Sequence, residues 1–166
     1  ILSDYEIIIW TTTPWTMPGN RAVAYGENIE YSLIEITTVD ENSLAKTGDK
    51  IVIAKDLLDE VVKELSISSY NIIDSLKGSD FKGSILSHPL CKHGYDHDVP
   101  LLEADFVTTD QGTGFVHIAP GHGADDFELG KKNKLPIPET VSDNGILDVD
   151  LPLLGGLRVL KDNEKI

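Results

Sequence analysis

Two histidines and two adjacent aspartates fall within ten residues of one another in GTGFVHIAPGHGADDF, Gly112 to Phe127. The four are His117, His122, Asp125 and Asp126. Their types allow three chemistries: a metal site, an acid–base pair, or an anion that holds a cationic group. Asp125 and Asp126 lie in the first turn of an expected helix, where a carboxylate interacts favourably with the macrodipole. Neighbours on a helix point about 100° apart, so one can cap while the other faces the preceding turn. A carboxylate held ionised there suits an ammonium group. Strand alternation puts Phe115, His117 and Ala119 on one face, which fits a satisfied core histidine or the wall of a pocket. His122, between two glycines, reads as exposed loop. All four residues are possible metal ligands, yet the spacing lacks a tight pair such as HExxH. Cys91, His93 and His97 form a second set with no fourth ligand nearby, so no metal and no other cofactor is expected.

The other concentration of polar groups is the run Thr11-Thr12-Thr13-Pro14-Trp15-Thr16-Met17-Pro18-Gly19-Asn20. Its two prolines preclude a regular helix or a central strand. Hydroxyls and free backbone groups in such a loop can hold a water molecule and the polar edge of a substrate. Trp15 can wall a small pocket, although the default for a tryptophan is core. No G-x-S-x-G elbow is present, and Cys91 has no activating neighbours. GTG at Gly112–Gly114 is too short for a dinucleotide fingerprint. The inventory is therefore hydroxyls, one anionic anchor and a histidine, without nucleophile or metal. That suits hydrolysis of an already activated bond, in which the protein positions water and the reactive group.

Short strands have to carry these groups. Tyr5–Trp10, Ala22–Tyr25, Glu30–Thr37, Ile51–Ala54, Tyr70–Ile73, Ile85–Ser87, Phe106–Thr108 and Phe115–Ala119 read as strands, with late ones at Ile146-Leu147 and Leu157–Leu160. Asp56–Leu65 has a helical apolar face of Leu57, Leu58, Val61, Val62 and Leu65, with Asp56 at its cap, and a second helix is expected over Ala124–Lys132. Strand and helix do not alternate regularly. The expected class is α+β, a mixed, barrel-like β core with peripheral helices.

The chain has 166 residues and predicts a single domain, 1–166. Its formal net charge of −14 argues against gripping a long duplex, because neutralising phosphates supplies much of the affinity of nucleic-acid binders. A nucleic-acid partner would be touched only at a short end. No apolar run approaches the ~20 residues that span a bilayer, so no membrane partner is expected. The lone Cys91 fits a reducing cytoplasm, and a start at Ile1 reads as an excised piece of something larger, monomeric by itself.

WTTTPWTMPGN (Trp10–Asn20) and GTGFVHIAPGHGADDF, about 90 residues apart, together resemble the editing domain inserted in isoleucyl-tRNA synthetases. Related valyl and leucyl domains typically have Arg where this chain has Thr13, and the valyl type tends to carry lysine where His117 stands. The motifs HIGH and KMSKS of the synthetic active site are absent, as an excised insert implies. The resemblance implies the editing-domain fold of these synthetases and hydrolysis of valine mischarged on isoleucine tRNA. Isoleucyl-tRNA synthetases are themselves the usual illustration of such double-sieve editing, in which a second site too small for isoleucine removes what the first admits. It further implies that Asp126 binds the α-ammonium of the valyl group, with Asp125 left to cap. His117 would form the size-limiting wall and contact the terminal ribose. Thr11, Thr12 and Thr13 would hold substrate and attacking water, Trp15 would line the pocket, and Asn20 matches a position tied to editing. The partners implied are the 3′ end of isoleucine tRNA carrying valine, valyl-adenylate, and the rest of the parent synthetase. A metal-dependent hydrolase and a module that only docks the tRNA 3′ end are the rival readings.

Overall fold

The computed structural model describes residues 3–165. The chain divides into two compact units. The first comprises the stretch up to Trp10, Ala24–Lys82 and Glu103–Val116; the second comprises Thr11–Val23, Gly83–Leu102 and the chain from His117 on.

The first unit is built on a four-stranded sheet in the order β1-β4-β3-β5. β3 (Glu30–Val39) pairs antiparallel with β4 (Lys50–Ala54) and with β5 (Ile67–Lys77), while β1 (Glu6–Ile7) lies parallel to β4. In β3, Tyr31, Ser32, Leu33 and Ile34 are all buried, as a central strand covered on both faces requires. Tyr31 packs edge-on against Phe81 at 4.9 Å and, tilted, against Phe115 at 4.6 Å. Its hydroxyl donates to the Gly114 carbonyl (2.8 Å) and accepts the Gly26 N–H (3.1 Å), so no polar atom of the ring is wasted. Burial pushes the Tyr31 hydroxyl up to about 12. A 3-10 turn (Lys55–Leu57) leads into α1 (Leu58–Glu64), which buries Leu58 and Val61. Asp56 does not cap this helix: the N-cap position is Leu57, with no side-chain bond, and Asp56 is exposed in the turn before it.

Gly114 is where the aromatic core and the sheet close on one another. Its φ is +82°, and a Cβ there would stand 2.2 Å from the Ala54 Cβ. Gly114→Ala is therefore expected to destabilise the chain by about 3 kcal/mol, adding left-handed strain to overpacking. Gly83, with φ +81° and open space around it, is the control and should lose only about 1 kcal/mol as alanine. Urea unfolding of the two variants measures the difference.

The second sheet has the order β6-β7-β2-β8, from β6 (Ile85–Ser87), β7 (Asp98–Glu103), β2 (Ala22–Tyr25) and β8 (Phe115–Ile118). α2 (Ala124–Lys132) follows β8 after one tight turn. The α+β class with few helices holds, and the strands form two open four-stranded sheets.

Several elements differ from the sequence expectation. Tyr5–Trp10 is strand only at Glu6–Ile7, and Trp10 is exposed. Phe106–Thr108 is not strand, with Phe106 in a turn; the neighbouring strand is β7, in which Val99 and Leu101 are buried on alternate positions. Pro100 is tolerated inside β7 because the N–H that reaches the Ser84 carbonyl is that of Leu101. The late strands reduce to isolated bridges, Val141↔Leu147 and Ile146↔Arg158. Positive φ at Leu153, Gly156 and Leu160 turns the backbone too often there for a ladder to propagate. No helix among the described residues is long and apolar enough to cross a membrane.

Candidate functional site

The second unit contains every residue singled out for chemistry: Thr11, Thr12, Thr13, Trp15, Asn20, His117, His122, Asp125 and Asp126. Pro14–Gly19 forms a 3-10 helix with Pro14 at its start and Thr13 as N-cap. The prolines exclude an α-helix, as expected, yet a 3-10 turn needs fewer donors and accommodates Pro18. Ahead of it, the Thr13 N–H donates to Thr11 Oγ1 (3.0 Å), and the Thr11 and Thr13 hydroxyls lie 3.1 Å apart. Thr12 is exposed, and Thr11, Thr13 and Trp15 are half-buried. A threonine loop is thus held open by its own hydroxyls.

His117, in β8, is buried and has both ring nitrogens occupied. The Asn20 side-chain amide lies 2.8 Å from Nδ1, and Thr16 Oγ1 lies 3.0 Å from Nε2. An amide NH₂ only donates, so Nδ1 is the acceptor and Nε2 carries the hydrogen. Nε2–H then donates to Thr16 Oγ1, which donates to the Thr13 carbonyl at 2.8 Å. Desolvation, with the charges of His88 and His122 as smaller causes, lowers the ring to about 4. His117 is consequently a neutral, fixed ring whose nitrogens are spent inside the protein. Asn20 is fully buried, and its Oδ1 has no partner among the described protein groups.

Asp126 lies in the first turn of α2, whose N-cap is Gly123. Asp125 makes no side-chain capping bond, contrary to expectation; it is exposed in the first turn and interacts with the helix end through charge alone. Asp126 instead turns back toward the preceding loop and accepts the Ala119 N–H at Oδ2 (2.8 Å). Gly123 makes room for this: a Cβ there would stand 2.8 Å from Asp126 Oδ1. Burial raises the Asp126 carboxyl above its ordinary value, while the N–H groups of Ala119 and of Asp126 itself pull it down. No described residue forms an ion pair with it; the two ion pairs found are Lys55–Glu30 and Lys165–Asp162, both at the surface. A desolvated carboxylate without a cation gains most when an ammonium arrives.

His122 is exposed in the turn before α2, as expected, and its ring is engaged there. Its Nε2 lies 2.7 Å from the hydroxyl of buried Thr140, and its Cδ2 would stand 3.4 Å from a Cβ on Gly19. Desolvation lowers its ring, and the Asp126 charge opposes this. Asp126 and the threonine loop share no hydrogen bond; they are linked through Ala119 and the His122 ring, both of which border Gly19. Sequence reasoning overlooked Thr16 and Thr140. Thr16 sits three residues after Thr13 inside a Pro-broken turn, which is the one local signal that its hydroxyl turns inward.

Among the described residues, no three of His, Cys, Asp or Glu converge as a metal ion needs. Cys91 and His93 lie in a short 3-10 turn, and His97 is engaged with the Asn20 carbonyl (2.9 Å).

A family model described as "Leucyl-tRNA synthetase, editing domain" matches residues 5–150. The chain belongs to this editing-domain family. Among its relatives are the isoleucine–tRNA ligases of Pelagibacter ubique (strain HTCC1062), 49% identical over 98% of the chain, and Gluconobacter oxydans (strain 621H), 44% identical over 96%. The chain spans 18% and 17% of those two proteins. In fold, this editing domain resembles the crystal structure of GlLeuRS-CP1, with a TM-score of 0.63 at 20% identity over 77% of the chain and 44% of that structure. It also resembles the P. falciparum cytosolic leucyl-tRNA synthetase editing domain, with a TM-score of 0.62 at 18% identity over 81% of the chain and 49% of that structure.

Proposed function

We propose that residues 1–166 act as the editing insert of an isoleucyl-tRNA synthetase and hydrolyse the ester that joins valine to isoleucine tRNA. The observation that carries this reading is Asp126, a desolvated carboxylate paired with no cation among the described residues, aimed at the loop before α2. With Oδ2 held by Ala119, Oδ1 is the oxygen we assign to the valyl ammonium. The isoleucine–tRNA ligase relatives support isoleucine tRNA as the carrier, and with it a cytoplasmic setting.

The remaining residues divide the work. The loop hydroxyls of Thr11, Thr12 and Thr13 position water against the ester carbonyl, and Trp15 lines the pocket. His117 limits its size. Because both ring nitrogens are engaged, the ring offers the substrate a face and an edge of carbon, and a ribose contact would come from those. For the same reason it is not a base: Nδ1 already accepts from Asn20, and Nε2 carries a hydrogen. Water oxygen bonds to the carbonyl carbon and the ester C–O bond breaks. Valine departs as its carboxylate, with one of the two water protons passing to solvent, and the ribose oxygen leaves with the other. The neighbouring hydroxyl of the terminal adenosine is the group placed to relay that proton. Valyl-adenylate presents the same ammonium and acyl carbon and is the second substrate we assign.

Single-turnover deacylation in chelator, by the synthetase carrying this chain, tests the reading. Valyl ester on isoleucine tRNA should be cleaved far faster than the isoleucyl ester, and chelation should leave the rate unchanged. Equal rates for the two esters, or loss of cleavage on chelation, would sink it.

A further inference from the structure

We propose that Arg21, with His88 and His97, is a positioning unit that holds the backbone of Asn20 so that the Asn20 amide meets His117. Three carbonyls at the end of the 3-10 turn receive these side chains. Arg21 Nη1 donates to the Asn20 carbonyl at 2.6 Å and to the Pro18 carbonyl at 3.1 Å. His97 Nε2 lies 2.9 Å from the same Asn20 oxygen and 3.0 Å from Arg21 Nη1. His88 is almost fully buried, and its Nδ1 accepts the Leu90 N–H (3.0 Å). Its Nε2 therefore carries the hydrogen and donates to the Met17 carbonyl at 3.0 Å. That Met17 oxygen also accepts the Asn20 N–H at 3.0 Å.

Asn20 is thus gripped at its N–H, at its C=O and at its side chain. The Arg21 N–H completes the frame by donating to the carbonyl of Ile118, the residue after His117, at 2.9 Å. The unit is itself anchored. His88 stacks on Tyr95 at 5.0 Å with 17° between the rings, and the Tyr95 hydroxyl donates to the Pro152 carbonyl at 2.8 Å. Arg21 forms no ion pair with a described residue, although the chain has 28 acidic residues to offer. A half-buried guanidinium that prefers backbone carbonyls to carboxylates is placed to fix the backbone. The object it fixes is the donor that sets the tautomer and angle of His117.

The test needs two readouts, and only the second rests on the editing reading. Side-chain ¹⁵N NMR of the chain should show His117 as the single Nε2–H tautomer, giving way to a mixture in Arg21→Met. Both Arg21 contacts come from one nitrogen, so the ammonium of Arg21→Lys should restore most of the single tautomer. In deacylation of valyl ester, Arg21→Met should leave KM near wild type and lower kcat by up to roughly 100-fold, the scale of a 1 Å misplacement. Should Arg21→Met fail to fold, His97→Ala removes one of the two donors to the Asn20 carbonyl and should give the same tautomer mixture with a smaller kcat loss. An unchanged His117 tautomer with unchanged kcat, whatever happens to Tm, would overturn the proposal. A tautomer mixture in a protein whose wild type cleaves no valyl ester upholds the positioning unit and refutes the editing reading alone.

Discussion

Asp126→Asn is expected to abolish deacylation while leaving the fold in place. The amide keeps an oxygen for the Ala119 N–H and keeps the shape that Gly123 accommodates, so the turn before α2 survives. What disappears is the charge. Removing one member of a desolvated charge pair costs about 2–5 kcal/mol, roughly 30- to several-thousand-fold in rate. Asp126→Ala should lose as much activity and in addition about 1–3 kcal/mol of stability, because the Ala119 N–H is left without a partner. Thermal unfolding beside single-turnover rates separates the two effects. Near-wild-type cleavage by Asp126→Asn would show that the carboxylate serves the loop and not the substrate.

Acid should unfold the second unit earlier than its carboxylates alone would. His88 and His117 are each lowered from 6.5 to about 4, chiefly by desolvation. Between those values the unfolded chain takes up protons that the folded rings refuse, so the stabilisation is complete above about pH 6.5 and is lost as the pH falls toward 4. A depression of that size corresponds to about 3 kcal/mol per ring. Two other effects run the opposite way in this window. Protonating acidic residues relieves the self-repulsion of a chain with net charge −14, and the raised Asp126 carboxyl takes up its proton more readily in the folded state. A Tm that falls from pH 6.5 to 4 is therefore the signature of the rings. His88→Gln can still donate to Met17 and accept from Leu90 without titrating, so it should remove about half of the fall. A flat or rising Tm across the window would contradict this account.

The residues explain how much of this was readable in advance. β2, β6 and α2 match their expected limits because short apolar runs, turn residues at their ends and an acidic first turn are local properties. β7 was hidden by Pro100, whose lack of an N–H argues against a strand until the register is known. Leu157–Leu160 has strand-like residues, yet the backbone turns left-handed at Gly156, just before it, and at Leu160, its last residue. In the site, both aspartates fall in the first turn of a helix, and the resemblance to the editing family is what singles out Asp126. Asp125 appeared equally able to cap, and only the backbone path shows the N-cap to be Gly123, without a side-chain bond. The partners of His117 were out of reach in the sequence, since Thr16 and Asn20 stand about a hundred positions away. His117, readable from its strand position as a satisfied core histidine or as the wall of a pocket, has both nitrogens bonded inside the protein, as the first reading expects. That contact exists only once β8 is folded beside the 3-10 turn.

The most direct measurement is a crystal structure of the chain with a non-hydrolysable valyl-adenosine analogue. The ammonium should lie about 3 Å from Asp126 Oδ1, with the isopropyl group against the carbon edge of His117 and the acyl carbon facing the Thr11–Thr13 hydroxyls. An analogue bound with its ammonium elsewhere, and Asp126 still holding only Ala119, would contradict the assignment of this site.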